Sequence, residues 1–418
     1  MCTGTYFRTL GLIRHDGLAR TAVRANPCTK EPLMSATPVE KQPPIPEDRR
    51  QKYQDLFENS RSRDGIDERV ASHLLRMGEM AGEGIELIGN LNKDYLGAFH
   101  APFSRDLADA DLAIVGCPLE KAAPMNASHK YGPSVLRRLS KNGMGTTEPW
   151  DGGFDIPFDD CRIIDYGNVD TYGRFDLTDE VEKLIEAYDE IVVKHGITPF
   201  TWGGDHTVSY PPIHSLGQRY GPLGLIHFDA HYDMVTYADF PYPYHSGSQF
   251  TRTMAEGNLD PERMITMGVR GRMSALVGGH PANFGNTVLS ADDVWDEGID
   301  NVVEQILHVV GDGPVYFSLD ADALEPSDNA SNSAVEAFGL TARQIWDIIR
   351  KVRKSNKVNL VGADVVEYAP YLDPSDSDGY TLAGISWKLL GWLADQTAKR
   401  NGERRQTEWP QAFGKASL

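Results

Sequence analysis

Seven short apolar runs, rich in β-branched residues, recur along the chain and close on or near Gly, Asp or Asn. They are "DLAIVGCP", "CRIIDYGNV", "ITPFTWGG", "GLIHFDAH", "RMITMGVRG", "PVYFSLDAD" and "KVNLVGADVVE". Between them lie stretches with apolar residues at helical spacing, among them "LTDEVEKLIEAYDEIVVKHG", "IDNVVEQILHVVGDG", "LTARQIWDIIRKVRKSN" and "LAGISWKLLGWLADQTAK". Strands alternating with helices of this length predict βαβ units, a parallel sheet and an α/β fold. Right-handed crossovers would cover both faces of that sheet with helices. Upstream, "ASHLLRMGEMAGEGIELI" has helical spacing too and predicts a helical extension over about Glu47 to Leu91. No internal repeat of fixed period is present. Open parallel sheets bind ligands beyond the carboxyl ends of their strands, so those ends are where chemistry is expected.

Composition narrows the class. The chain has 418 residues with 40% hydrophobic and 24% charged residues, an ordinary globular balance. A net charge of -19 argues against nucleic-acid or anionic-membrane partners, which need basic patches. Four cysteines (Cys2, Cys28, Cys117, Cys161) are far apart and form no CxxC, which points to a reducing compartment. No apolar run approaches the roughly 18 residues of a membrane span. A cytoplasmic location is the base expectation. Residues 1–33 carry Arg8, Arg14, Arg20 and Arg24 with few acids. They read either as a transit peptide to a mitochondrion or other organelle, or as an over-extended start ahead of Met34. Residues 34–92 read as a proline-rich arm and helical extension, 93–400 as the catalytic domain and 401–418 as a polar tail.

Three strand ends carry an unusual load. "GGDHT" supplies Asp205 and His206; "HFDAHYD" supplies Asp229, His231 and Asp233; "SLDAD" supplies Asp320 and Asp322. In extended backbone alternate residues face the same way, so Asp229, His231 and Asp233 would converge, and likewise Asp320 and Asp322. Each segment alone has an ordinary explanation: His206 as a packed core or loop histidine, "DAHYD" as a solvated loop or helix cap. Three together, each after its own strand, do not. Converging carboxylates repel in a cleft of low dielectric, and a pair of divalent cations would compensate them. Oxygen ligands mixed with imidazole suit manganese, with nickel, cobalt, zinc and iron as alternatives; the lack of thiolates argues against structural zinc.

In order and spacing, "GGDHT", "HFDAHYD" and "SLDADALEP" resemble the metal-binding signatures of the ureohydrolases: arginases, agmatinases and related guanidino-compound hydrolases. The resemblance spans roughly Leu107 to Asp395, with "GCPLEKAAPMNASHKYGPSVLRRLS" upstream and "GADVVEYAP" downstream. It implies a single three-layer α/β/α domain around a mainly parallel sheet, assembled as a homotrimer or homohexamer. It implies two divalent metal ions, manganese first and nickel as the alternative. One would take His206, Asp229, Asp233 and Asp320, and the other Asp229, His231, Asp320 and Asp322. Glu367 resembles the glutamate that pairs with a cationic guanidino substrate, and Asp322 would relay a proton to the leaving amine. The implied reaction is hydrolysis of the guanidinium to urea and an amine, with metals lowering the pKa of water from about 15.7 toward roughly 7.

Three departures bear on specificity. The usual "DP…PGTGTP" continuation is replaced by "LEPSDNASNSAVEAFGLT", with Glu325 in place of aspartate. A histidine that serves relatives as proton shuttle lies four residues before a phenylalanine; here His245 lies five before Phe250, and otherwise Ser246 takes the place. The agmatinase-like loop "GTSxRPGARxGP" reads "AAPMNASHKYGP", with Asn126 for the arginine but Lys130 and Gly132-Pro133 retained. The arginase segments "HTDINT" and "SGNLHG" are absent, which disfavours L-arginine. Agmatine, a guanidino acid and free guanidine stay open as substrates. Tyr232, Tyr237, Tyr242 and Tyr244 would either surround a cation or simply pack. Two other readings remain: a formimino or other C–N hydrolase on the same scaffold, and a non-catalytic subunit of a ureohydrolase complex.

Overall fold

The computed structural model describes residues 46–58 and 97–402, apart from 109, 124–126, 142–147, 151–152, 156, 172–175, 237–238, 240 and 272–279. The expected N-terminal leader, most of the extension, Asn126, Tyr237 and nearly all of the polar tail lie outside the described residues. The chain divides into residues 1–62 and 63–418. In the first unit, helix α1 (Glu47–Glu58) opens on Glu47 and Asp48, where acidic side chains favour a helix N-terminus.

In the second unit the strands are β1 (Leu112–Cys117), β2 (Glu148–Trp150), β3 (Gly153–Asp155), β4 (Ile163–Asn168), β5 (Thr198–Gly203), β6 (Leu223–Phe228), β7 (Leu259–Val269), β8 (Thr287–Ser290), β9 (Pro314–Asp320) and β10 (Asn359–Val366). β2 and β3 form a small antiparallel pair. The other eight form one sheet in the order β4-β1-β5-β10-β9-β6-β7-β8. Every pairing in it is parallel. The seven apolar runs became seven of these strands. The eighth, β8, has only four residues, three of them half-buried, and gives no comparable signal.

Alternation along each strand splits the interior in two. On β1, Leu112 and Ile114 enter one core while Ala113, Val115 and Cys117 enter the other. The first core is covered by α2 (Gly132–Leu139), and the second by α3 (Leu177–Tyr188), α4 (Tyr210–Tyr220) and α5 (Gln249–Ala255); α6 (Ala291–Val310), α7 (Ala342–Ser355) and α8 (Ser377–Arg400) complete the cover of the first. This is the expected α/β/α sandwich. Capping boxes start α6 (Ser290 with Asp293) and α7 (Thr341 with Gln344). Helix α4 escaped the sequence reading because Pro211 and Pro212 look like breakers. They occupy its first turn, where a missing N–H costs nothing. Among the described residues no helix is long and apolar enough to cross a membrane.

The order places β5, β10, β9 and β6 side by side at the centre, so their carboxyl ends open onto one shared surface. The turn after β5 is very close-fitting. A Cβ on Gly204 would lie 1.8 Å from the Leu119 carbonyl oxygen, and one on Gly203 2.4 Å from Val208. Gly204→Ala should therefore lower stability by about 1–3 kcal/mol through overpacking. Gly384→Ala in α8, where nothing lies within 4 Å, should instead stabilise by about 0.5–1 kcal/mol. Thermal denaturation of both variants checks the pair, and equal shifts would contradict the assigned packing.

Candidate metal centre

After β5, the side chain of Asp205 caps the short turn His206–Ser209, accepting from Thr207 N at 3.1 Å and from Ala122 N at 3.0 Å. Its neighbour His206 is buried and points inward. The Nε2 atom lies 3.0 Å from Ser318 Oγ, and that hydroxyl donates to Asp364 Oδ1 at 2.7 Å. With its proton committed to Asp364, Ser318 Oγ accepts from Nε2–H, which leaves Nδ1 as the bare nitrogen. Nδ1 faces Asp233 Oδ2 at 2.8 Å, Asp320 Oδ2 at 3.0 Å and Asp229 Oδ2 at 3.4 Å. It makes no aligned hydrogen bond.

The strand β6 ends at Phe228, and the next segment keeps its place through Asp229 N–H to Met267 O at 3.0 Å and Arg270 N–H to Ala230 O at 2.9 Å. His231 Nδ1 lies 3.0 Å from Asp322 Oδ2 and 3.3 Å from Asp229 Oδ1. The ligand-type atoms of Asp229, His231 and Asp322 all fall within 4.8 Å of one another. Asp229 thus faces both histidines, one with each oxygen. Asp320 Oδ1 accepts from Asp322 N at 2.8 Å, and Asp322 Oδ1 accepts from Ala230 N at 3.0 Å. All six residues picked from the sequence meet here. Simple alternation holds only in part, because the backbone leaves extended geometry: Asp233 has φ 49 and Asp320 opens a tight turn.

The charge balance of the cluster is uneven. Burial opposes ionisation of Asp229, yet His206, His227 and His231 override it and hold its carboxyl well below the ordinary range. Burial, Asp322 and Asp229 push Asp320 well above that range, and burial raises Asp322. Burial disfavours a charged His206, but Asp233, Asp229 and Asp320 more than offset it and drive its affinity for a proton well up. A buried bare nitrogen facing three carboxylate oxygens calls for a cation at their common centre. The donor set of oxygens and imidazole fits a divalent metal.

Glu367 follows β10 with φ 61, a conformation few non-glycine residues adopt. Three contacts hold it: its N–H to Gly204 O at 2.9 Å, Ala369 N–H to Ser331 O at 2.7 Å, and His206 N–H to its own Oε1 at 2.8 Å. Backbone strain of this kind clusters at functional sites. Burial, followed by Asp205, raises its pKa well above the carboxylate range. His245 is half-buried, and its Nδ1 accepts from Gly247 N at 2.9 Å, so the neutral ring carries its proton on Nε2. Burial lowers its pKa, against the pull of Asp233. Glu325 closes the altered loop, its Oε2 accepting from Gly339 N at 2.6 Å. Arg270 threads the same loop, donating to the carbonyls of Asp322 at 2.8 Å and Glu336 at 2.8 Å. Tyr244 is buried against Tyr210 with Arg252 4.5 Å over its ring, so it packs.

The structure adds residues the sequence reading passed over. His227 Nε2 lies 2.9 Å from Asp229 Oδ2, and its Nδ1 lies 3.2 Å from Thr266 Oγ1. Its place two residues before Asp229 on the same face was the available signal. Ser318 carried the same period-two clue on β9, two residues before Asp320, while Asp364 lies three before Glu367 and had none. Buried His129 lies with Nε2 3.1 Å from Glu367 Oε2, and nothing in its local pattern announced that.

The arginase family model matches residues 110–391. The chain belongs to the arginase family. Members are metal-dependent hydrolases of linear amidines, and this chain is one of them. Over 289 residues it is 33% identical to the agmatinase of Chromobacterium violaceum, covering 69% of this chain and 85% of that protein. Over 284 residues it is 32% identical to the human mitochondrial guanidino acid hydrolase, covering 67% and 77%. The crystal structure of a hypothetical agmatinase from Burkholderia thailandensis superimposes with a TM-score of 0.66 at 31% identity, covering 76% of this chain and 96% of that one.

Burial holds His129 neutral, with its pKa pushed down to about 4, against about 6.5 in an unfolded chain. The unfolded chain then binds the proton more tightly. Folding stability is therefore intact above about pH 6.5 and falls as pH drops toward 4, by up to about 1.4 kcal/mol per pH unit. In His129→Gln this component should vanish. Denaturation midpoints of wild type and variant between pH 7 and 4 should converge toward the acid end; a constant gap would mean that His129 does not titrate there.

Proposed function

We propose that the protein hydrolyses a small cationic guanidino compound to urea and the corresponding amine at a binuclear metal centre. The observation that carries this is the bare, buried Nδ1 of His206 among the carboxylates of Asp229, Asp233 and Asp320. His206, Asp229, Asp233 and Asp320 would hold one ion, and Asp229, His231, Asp320 and Asp322 the other, with manganese preferred over nickel. When bound, two such ions supply a hydroxide at neutral pH and neutralise charge that builds up on the attacked carbon's substituents.

The chain's own residues do the rest. Glu367, fixed through Oε1 by His206 N–H, offers its carboxylate to the planar guanidinium and sets the orientation of the carbon. The balance is R–NH–C(NH2)2+ plus water giving R–NH3+ plus urea, so the leaving nitrogen must gain both protons of the attacking water. Asp322, whose Oδ1 is held by Ala230 N–H, relays them from the water oxygen toward the amine. His245, with its proton on Nε2, exchanges protons between the site and solvent. His227 and Ser318 orient Asp229 and His206, as partners of metal ligands commonly do. The similarity to an agmatinase and to a guanidino acid hydrolase supports the substrate class. The replaced loop beyond Leu324 and the altered segment before Gly132 support a specificity of its own. Active protein is proposed to be a homotrimer or homohexamer, as the resemblance implies.

The decisive test is urea release from agmatine, guanidinobutyrate, guanidinopropionate, guanidinoacetate, arginine and guanidine, after separate reconstitution with manganese and nickel. Urea from at least one compound other than arginine is expected. Formamide or ammonia in its place would move the reading to another C–N hydrolase, and no product with metal bound would point to a non-catalytic subunit.

Metal analysis tests the ligand assignment independently. Asp229→Asn should lose metal from both positions, because it removes the charge that both histidines share. His206→Ala should lose chiefly one equivalent, restored in part by excess metal. Two tightly bound equivalents in Asp229→Asn would refute the shared role.

A further inference from the structure

His129 stands where the agmatinase-like pattern "GARxGP" has alanine, since the segment here reads "SHKYGP". The side chain is fully buried, and neither ring nitrogen makes an aligned hydrogen bond. Buried polar atoms are seldom left so, because each costs the desolvation of an unmet group. Nε2 lies 3.1 Å from Glu367 Oε2, while Nδ1 lies 3.8 Å from Glu120 Oε1. Glu120 Oε1 is already engaged by the backbone N–H groups of Ser128 and, at 3.0 Å, of His129 itself.

The segment that carries the ring is built to place it. Ser128 adopts φ 85, and its hydroxyl accepts from Tyr371 N at 3.0 Å, four residues beyond Glu367. A Cβ on Gly132 would come 3.1 Å from the Tyr368 carbonyl oxygen and 3.2 Å from that of Gly203. The loop after β1 is thus pressed onto the ends of β10 and β5, with the imidazole inserted beside the Glu367 carboxylate.

We propose that His129 is a positioning residue for substrate specificity: its neutral imidazole donates Nε2–H to Glu367 Oε2 and fixes the carboxylate plane that receives the guanidinium. This rests on the function proposed above. His206 N–H holds Oε1 and His129 holds Oε2, so neither end of the carboxylate turns freely. Each oxygen keeps an acceptor site for one N–H of a planar cation. A neutral donor, unlike an arginine or lysine in the same place, brings no charge of its own, so the cation that ionises and pairs with Glu367 is the substrate's. The contact tightens when the substrate binds, as hydrogen bonds in catalytic sites commonly do.

The test uses metal-loaded His129→Ala and His129→Gln, assayed with the guanidino compound that wild type turns over best. Loss of a hydrogen bond to a charged group that binds substrate should raise KM by about ten-fold or more, with a smaller change in kcat and unchanged metal content. Glutamine, whose amide can still donate, should recover part of the loss. An unchanged KM in His129→Ala overturns the proposal, as does an equal fall in metal content and Tm in both variants, which would mark a packing role. A second measurement needs no turnover: imidazole nitrogen NMR of histidine-labelled, zinc-loaded protein. The His129 signal should be that of the Nε2–H form and should shift in Glu367→Gln; an Nδ1–H form or an unmoved signal overturns the contact. If wild type releases no urea from any compound, the proposed function falls, and the NMR result still decides whether His129 holds Glu367.

Discussion

Everything at this site follows from one constraint: four adjacent parallel strands deliver a histidine and three sets of acidic groups to neighbouring points at their carboxyl ends. β5, β10, β9 and β6 are neighbours in the sheet, and behind them lie His206, Glu367, the Asp320–Asp322 pair and the Asp229–Asp233 segment. Carboxylates brought so close would repel at low dielectric. The chain answers with histidines facing Asp229 and with hydrogen bonds that tie Asp229, Asp320, Asp322 and Glu367 to backbone and Asp233 to the Gln249 side chain. Asp229 is thereby kept ionised, while Asp320 and Asp322 remain under-compensated. That remainder is what a divalent cation would relieve, and it makes the centre a site rather than a set of capped turns.

The scaffold absorbs the cost through close backbone approach. Gly203 and Gly204 let the β5 turn sit against Leu119, Val208 and Val366. Asp205, the acid in "GGDHT", caps that turn and binds the loop after β1. Asp233 and Glu367 both sit at positive φ. Such conformations persist only where surroundings over-determine them, and here the surroundings are the hydrogen bonds to Gln249, Gly204 and His206. Rigidity of this kind suits a centre whose ligands must not relax when a metal leaves or enters.

Much of this was legible in the sequence, for a physical reason. Period-two and helical patterns report burial on a sheet covered on both faces, so seven strands and the α/β class were readable, and so was the convergence of acids and histidines placed directly at strand ends. β8 was missed because it is short and only partly buried. Helix α4 was missed because prolines in a first turn look like breakers. His227, Ser318 and Asp364 act one layer behind the ligands. They lie inside apolar strand runs rather than at the strand ends, and only the pairing of β6, β9 and β10 shows what they touch. His129 lies further still from any pattern, since its partner Glu367 is more than two hundred residues away and meets it only through the packing of two loops.

The departures from the family pattern now have a spatial logic. Glu325, one carbon longer than aspartate, reaches Gly339 and closes a loop that lacks the usual proline-glycine-threonine run. Leu324 and Leu340 bridge at its base, and Arg270 collects its carbonyls. That loop reaches the segment after β10 through Ser331, whose carbonyl accepts from the N–H of Ala369, two residues beyond Glu367. The segment before Gly132 reaches the same glutamate from the other flank through His129. The two altered segments therefore meet the stretch Glu367–Ala369, one at each end, and leave Asp229 unaltered. Where relatives share metal-holding residues, differences in the segments around them are the part of the fold free to vary, and in this chain those segments meet beside the end of β10.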